Sequence, residues 1–380
     1  MKFVCEHSIP VKNKENRYFT LSSNDKLDYV ISVINACGED VEIISASYTT
    51  NKAGFFKSRI DRFSRNNYVI SAPTFGTHSS VGKVFQRIFA LCWLTWYLLS
   101  NCHRKETVFV YHSVATAFTM LILEKIKKIK IVNEVEELFY QLSGIKNGWR
   151  IKLEKKIIAK SCAFIFASNE LNSICNKNKK PYIVINGNYN VNSDYVQNKY
   201  DAKRFVYAGL IEVDKVAFKC LNIAMYLPMG YEIHIIGYGN KRDIECLIKK
   251  IEIINSYGKC KVFYDGIKRD EEYIRYLQQF KFGLCPLTSN SSYQNACFPS
   301  KISSYMANGI NVITTANTVL KNSAYGPYIN FVKDDNPKSF AEMILGLNEK
   351  NCRDTKKIVK KLDVECKRKM RMFLKGINNK

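Results

Sequence analysis

Short apolar runs alternate with amphipathic helical segments along almost the whole of this 380-residue chain, and no other feature constrains its folding as strongly. Strands separated by helices cannot close hairpins, so they line up parallel, with helices covering both faces of the sheet. In the first half the sequence predicts strands over Lys2–Ser8, Val41–Ala46, Tyr68–Ala72, Val108–His112, Lys130–Val135, Cys162–Ala167 and Tyr182–Ile185. Between the first two, Leu27, Val30, Ile31 and Ile34 trace one helical face that stops near Gly38. A polar stretch without periodicity, 186–203, then reads as a connection between domains. A second alternating set follows, with strands predicted over Phe205–Ala208, Glu232–Ile236, Lys261–Tyr264, Phe282–Cys285, Asn311–Thr314 and Ile329–Val332. The expected class is α/β, with two doubly wound, Rossmann-like domains facing each other across a ligand-binding cleft. Their expected extents are 1–190 and 204–350, with a linker at 191–203. Residues 351–380 read as a basic final helix with Ile358, Leu362, Cys366 and Met370 on one face, crossing back over a domain or meeting a membrane.

Within the second half, Phe298-Pro299-Ser300-Lys301 leads into a short helix closed by Gly309 and followed at once by a buried strand. Pro299 suits a first helical position, and Gly309 suits a left-handed cap. Ile302, Tyr305 and Met306 form one apolar stripe. A polar loop, Thr288 to Asn295, precedes the helix and itself follows the apolar strand at 282–287. A strand, a polar loop and a helix start carrying a lysine together suit an anion site.

The net charge of +24 calls for anionic partners, and residues 351–380 alone hold 11 basic and 3 acidic side chains. Anionic lipid, nucleic acid and phosphorylated small molecules would all be attracted. No nucleic-acid module is present, so nucleic acid is not an expected partner. A lysine-rich composition without a dedicated partner accounts for the charge equally simply. The 13 cysteines are scattered and never spaced Cys-x-x-Cys, which argues for a reducing cytosol and against a zinc site. The opening Met1-Lys2-Phe3-Val4-Cys5 lacks the apolar core of a signal peptide, so a cytoplasmic location is expected.

Two segments interrupt the alternation. Residues 52–67 interleave Lys52, Lys57, Arg59, Arg62 and Arg65 with Phe55, Phe56, Ile60 and Phe63. Ile88 to Cys102 then runs fifteen residues without a formal charge. That is short of the roughly 20 needed to span a bilayer. It reads as a buried helix of the sheet, as a surface that lies in a lipid interface, or as both on different faces.

Four motifs in the second half carry a family resemblance. They are Tyr207-Ala208-Gly209-Leu210 through Lys215, Glu232 through Gly237-Tyr238-Gly239, Val262-Phe263-Tyr264-Asp265-Gly266, and Phe298-Pro299-Ser300-Lys301 to Gly309. In this order they resemble the C-terminal domain of the GT-B glycosyltransferases, specifically glycosyltransferase family 4. The first half is similar in layout, and in Tyr111-His112-Ser113 and Asn133-Glu134-Val135. The resemblance implies a retaining transferase that moves a sugar from a nucleotide-sugar donor to an acceptor, here a lipid-linked or oligosaccharide acceptor in surface-polysaccharide biosynthesis. It implies donor contacts from Gly209, Gly237, Gly239, Gly266, Ile267, Pro299, Ser300 and Ser304, and a catalytic set of His112, Lys215 and Lys301. Glu134 falls on the acceptor side. No metal or cofactor is required, because lysines neutralise the leaving diphosphate. The chain departs from the family pattern at Leu210, where an arginine is usual. It also departs at Ala296 and Ser304, where the paired glutamates of a Glu-x7-Glu motif would fall, so that motif is degenerate here. The expected setting is cytoplasmic and peripheral, at the inner face of an anionic membrane.

Blander assignments stand beside these. Lys215 and Lys301 also read as solvated surface lysines, His112 as a strand-end histidine, and Glu134 with its neighbours as charge at a helix N-terminus. Tyr264-Asp265-Gly266 also reads as plain turn chemistry. The departures equally suit a catalytically degenerate GT-B protein that scaffolds another transferase.

Overall fold

The computed structural model describes residues 1–64, 67–139, 148–195, 202–213, 215–288 and 296–378. Arg65, part of the expected linker and nearly all of the polar loop before Pro299 lie outside the described residues. The chain divides into two compact units, residues 1–185 with 365–380, and residues 186–364.

The first unit runs β1 (Lys2–Cys5), α1 (Leu21–Asn35), β2 (Glu42–Ser45), β3 (Phe55–Phe56), β4 (Arg59–Arg62), β5 (Tyr68–Ser71), β6 (Thr74–Phe75) and α2 (Ser80–Asn101). It continues with β7 (Thr107–Tyr111), α3 (Val114–Lys127), β8 (Lys130–Val135), α4 (Trp149–Lys160), β9 (Ala163–Phe166), α5 (Asn169–Cys175) and β10 (Tyr182–Val184). Its main sheet has the order β10-β9-β8-β7-β1-β2-β5-β4. All pairings are parallel except β4 with β5. The order reverses direction between β1 and β7, which makes a topological switch point there. Val4, Ile44, Val108, Val110 and Ile131 pack beneath Leu94 and Leu98 of α2 and Met120 and Leu123 of α3, all essentially buried. Each such side chain contributes about 1.5–3 kcal/mol. Ser79, Ser113 and Ser168 cap α2, α3 and α5 by accepting from backbone N–H groups of the first turn.

The segment 52–67 differs from its reading as a simple cationic-aromatic run. Arg59-Ile60-Asp61-Arg62 forms the antiparallel edge strand β4, while Phe55-Phe56 pairs with Thr74-Phe75 in a separate two-stranded sheet. A short, charged strand is a common way to end a sheet, because it discourages further pairing.

The second unit runs β11 (Arg204–Ala208), α6 (Val216–Ala224), β12 (Glu232–Ile236), α7 (Lys241–Ser256), β13 (Lys261–Tyr264), α8 (Asp270–Leu277) and β14 (Phe282–Cys285). After these come α9 (Ser300–Ala307), β15 (Asn311–Thr315), α10 (Thr318–Lys321), β16 (Asn330–Val332) and α11 (Pro337–Leu345). The sheet order β13-β12-β11-β14-β15-β16 is parallel throughout, and its switch point lies between β11 and β14. The last helix, α12 (Thr355–Asn378), contributes its residues from 365 onward to the first unit. There the Arg371 guanidinium donates to the Ala36 carbonyl at 3.3 Å, and Met370 is fully buried.

All thirteen cysteines are free thiols. Among the described residues no helix is long and apolar enough to cross a membrane, and no three His, Cys, Asp or Glu side chains cluster as metal ligands.

Candidate functional site

Helix α9 forms as its sequence suggests, with one shift. Pro299 is the N-cap rather than the first helical residue, in extended conformation, and it supplies no side-chain acceptor to the first turn. The backbone N–H groups there carry the positive end of the helix dipole. At the other end Gly309 has φ +87°, its N–H donates to the Met306 carbonyl at 3.2 Å, and the Ile310 N–H donates to Tyr305 at 3.0 Å. That is the Schellman pattern, and it turns the chain straight into β15.

Tyr305 pins α9 to the sheet. Its ring fills the space left by Gly283 in β14, where an added Cβ would lie 2.6 Å from the ring. Its hydroxyl accepts from the Ala208 N–H at 2.8 Å. The first turn of α9 is thereby held to the carboxyl end of β11, beside the switch point. Lys301, in that turn, stretches across Gly209. An added Cβ at Gly209 would sit 2.2 Å from the Lys301 Cε and 2.5 Å from its Nζ, and the ammonium lies 5.3 Å from the centroid of the Tyr207 ring. Lys215 caps the start of α6 through its backbone. Its side chain is 67% exposed, with only a loose 3.9 Å pairing to Glu212. The structure thus brings Lys301 and Gly209 together and leaves Lys215 free to swing in solvent from the same loop.

The loops at the ends of β11, β12 and β13 are stitched together by backbone. Gly209 N–H donates to Ile236 at 3.0 Å, Ile211 N–H to Tyr238 at 2.8 Å, and Gly237 N–H to Gly266 at 3.0 Å. A Cβ at Gly237 would stand 1.7 Å from the Gly209 carbonyl oxygen, and one at Gly239 would stand 2.3 Å from that of Ile211. Sequence reasoning gave these glycines the task of admitting a nucleotide closely. In the structure they first let neighbouring loops pack on one another. Gly266 and Ile267 are different: a Cβ at Gly266 would meet open space, and Ile267 is exposed. Ser300 is exposed, and the Ser304 hydroxyl lies 3.1 Å from the Tyr273 hydroxyl. Ala296 is buried.

Beneath the β13 loop lies a polar network that the sequence reading missed. His234 Nδ1 is 2.8 Å from Asp265 Oδ2, the Tyr276 hydroxyl donates to the same oxygen, and His234 Nε2 is 3.1 Å from Glu232. Burial pushes the Asp265 carboxyl up, but the bonds from His234 and Tyr276 outweigh it and hold the group below its ordinary range. The legible signal was a histidine inside an otherwise apolar strand.

In the first unit, His112 follows β7 at the switch point; the residue is half-buried and its side chain only 5% exposed. Its Nε2 is 2.8 Å from Glu154 Oε1, and its Nδ1 is 3.3 Å from the Asn133 amide. Glu154 also accepts from the Phe139 N–H at 2.7 Å. Glu134 is fully buried in β8, and neither carboxylate oxygen has a hydrogen-bond partner. Burial chiefly, with Glu136 adding, pushes its pKa up to about 8 against the pull of Lys26. Lys26 in turn lies 3.3 Å from Glu136. Glu134 and its neighbours also read as charge at a helix N-terminus, but Glu134 lies fully buried within β8. The loop after β1 has no glycines and is anchored by Arg17, a buried side chain that donates to Ser47 and Ala72 carbonyls at 2.9 and 2.7 Å. That anchor was not foreseen.

Two doubly wound parallel-sheet units in series, each with a switch point at its strand ends, define the GT-B fold. Known structures of that fold match the whole chain. A sucrose-phosphate synthase from Thermosynechococcus elongatus aligns with TM-score 0.70 and 14% identity over 100% of this chain and 98% of its own. A structure described as trehalose-6-phosphate from E. coli bound with UDP-2-fluoro glucose aligns with TM-score 0.67 and 9% identity, over 99% and 98%. An alpha,alpha-trehalose-phosphate synthase (UDP-forming) from Burkholderia xenovorans, in complex with glucose-6-phosphate, aligns with TM-score 0.62 and 7% identity, over 100% and 99%. No protein-family model matches the chain, and no curated protein matches it. At these identities the likeness establishes the fold.

Proposed function

We propose that this chain is a glycosyltransferase that moves a sugar from a nucleotide-sugar donor to a sugar acceptor. The observation that carries the reading is the Lys301 ammonium lying across Gly209, beside the N-terminus of α9, at the switch point of the second sheet. As a glycosyl–phosphate bond breaks, the departing diphosphate gains charge while the anomeric carbon becomes cation-like. An ammonium and helix N–H groups placed there stabilise that state more than the ground state. Lys215 adds a second, mobile cation from the adjoining loop. Gly266 and Ile267 offer an open edge for the base, and Ser304 with Tyr273 offers hydroxyls to the ribose.

The finer reading is a retaining family 4 enzyme that works without metal. On this reading it builds surface polysaccharide on a lipid-linked acceptor at the inner face of an anionic membrane. The first unit takes the acceptor, with His112 and Glu134 at its strand ends. Names of the structural neighbours point to donors such as UDP-glucose and to sugar-phosphate acceptors, so both acceptor classes belong in the assay. The test is donor hydrolysis and transfer across a nucleotide-sugar panel, with Lys301→Ala and Lys215→Ala checked for intact folding. Turnover lost in Lys301→Ala supports the site; turnover unchanged in both variants removes it. A second reading, a catalytically degenerate scaffold, is favoured by Ala296, Ser304 and Leu210 standing where charged residues are usual. Turnover of any donor rejects it.

A further inference from the structure

Helix α2 is apolar on its outer face as well as on its inner one. Its inner face buries Gln86, Ala90, Leu94 and Leu98. Its outer face carries Val81, Val84, Phe85, Ile88 and Trp96, at the three- and four-residue steps that share one side of a helix. These are open to solvent: Val81 is 65% exposed, Phe85 62% and Trp96 63%. The small β3–β6 sheet extends the patch, because Phe55, 61% exposed, lies 6.5 Å from the ring of Phe89 on α2. A contiguous apolar face of this kind marks a contact surface.

Charge identifies the contact. From Arg62 to Lys105 the sequence contains no acidic residue, and Lys52, Lys57 and Lys83 stand exposed around the aromatic cluster. A second copy of the same face would oppose these cations with themselves. A bilayer with anionic head groups answers both features, since phosphates meet the lysines and the acyl boundary receives the rings. The helix cannot cross, because no described helix is apolar enough for that. At 22 residues it lies flat along about 33 Å.

We propose that the outer face of α2, with Phe55 of β3, docks the first unit onto an anionic lipid bilayer. This deepens the proposed action on a lipid-linked acceptor and rests on it for its biological sense, but the docking is measurable on its own. It also moves the contact away from the basic terminal helix, where Cys366, Met370 and Phe373 are buried and only Val364 and Met372 stand exposed as large apolar residues among those described.

The experiment is flotation of the full chain with phosphatidylcholine vesicles containing about 30 mol% phosphatidylglycerol, against pure phosphatidylcholine, from roughly 0.1 M to 1 M salt. Binding is expected to the anionic vesicles only and to weaken with salt. Lys57→Gln and Lys83→Gln should each lower the partition coefficient about fivefold. Phe85→Ser should abolish flotation while thermal unfolding changes little, because most of the side chain faces solvent. Brominated acyl chains should quench the fluorescence of the wild type, and quench Trp96→Phe much less. Failure to float at low salt overturns the inference, and so does flotation unaffected by Phe85→Ser. A concentration-dependent dimer that Phe85→Ser dissociates, without flotation, assigns the face to a second copy and equally overturns it. Nucleotide binding is measured on the same samples without vesicles. Its loss would count against the transferase reading, and its retention without flotation would count against docking alone.

Discussion

The backbone N–H of Ala208, the last residue of β11, donates to the hydroxyl of Tyr305 on α9 at 2.8 Å. One side chain thereby fixes where a helix N-terminus points relative to a strand end, and Lys301 inherits its position across Gly209 from that bond. Tyr305→Phe leaves a buried N–H without its partner, at a cost of about 1–3 kcal/mol. The denaturant midpoint of the second unit should fall with the slope unchanged, and nucleotide affinity should weaken severalfold as α9 loosens.

The two glycines of the site should respond very differently to alanine. At Gly209 (φ +155°) the new methyl meets the flexible end of Lys301, which can swing aside, so the cost left is backbone strain. Gly209→Ala should therefore fold, at a cost of about 1–3 kcal/mol, but displace the ammonium and lose donor binding. At Gly237 the methyl meets the Gly209 carbonyl oxygen, at a φ of +145°. Backbone cannot swing aside, so Gly237→Ala should cost more than about 3 kcal/mol and unfold the second unit. Circular dichroism melts read both.

Glu134 makes stability depend on pH in an unusual sense. Its pKa, about 8 in the fold, lies above the ordinary carboxyl value of 4.5, so the folded state holds the proton more tightly. The stability this proton confers is complete below about pH 4.5 and is lost as pH rises towards 8. Glu134→Gln keeps the neutral shape without the titration. Its melting point should match the wild type near pH 5 and exceed it at pH 8, where each kcal/mol is worth about 2–4 °C in a unit of this size.

His112 and Glu154 should prove coupled. His112→Ala removes one partner from a fully buried carboxylate and should cost about 2–3 kcal/mol. Adding Glu154→Ala removes the carboxyl group that lost its histidine partner, so the double variant should be more stable than the sum of the two single costs predicts. A double-mutant cycle of unfolding free energies measures this. Additive costs would show that the two act independently.

The fold was legible because strand and helix periods do not depend on distant context. Apolar runs such as Glu232–Ile236 and Phe282–Cys285 recur as strands with the expected ends. The edge strand β4 escaped notice because half-exposed residues such as Arg59 and Asp61 carry no apolar alternation. The site was legible only where one residue type has one use, as with Gly309. Lys301 and Lys215 look alike in sequence, yet one crosses a strand end and the other floats in solvent, and only the packing of Tyr305 against Gly283 distinguishes them. The carbonyls that hold Arg17 and the carboxylate that holds His234 lie 30 or more residues away, so the histidine in its apolar strand was visible but its Asp265 partner was not.

The role of Lys301 is tested most directly by calorimetric titration of the full chain and of Lys301→Ala with a panel of nucleotide sugars and nucleoside diphosphates. Saturable binding of at least one nucleoside diphosphate by the wild type is expected. Lys301→Ala should lose about tenfold or more in affinity, matching the removal of one charge-assisted contact of about 1.5–3 kcal/mol, with melting behaviour unchanged. Equal affinity in the two proteins would contradict that role, because the ammonium beside Gly209 would then have no diphosphate to hold.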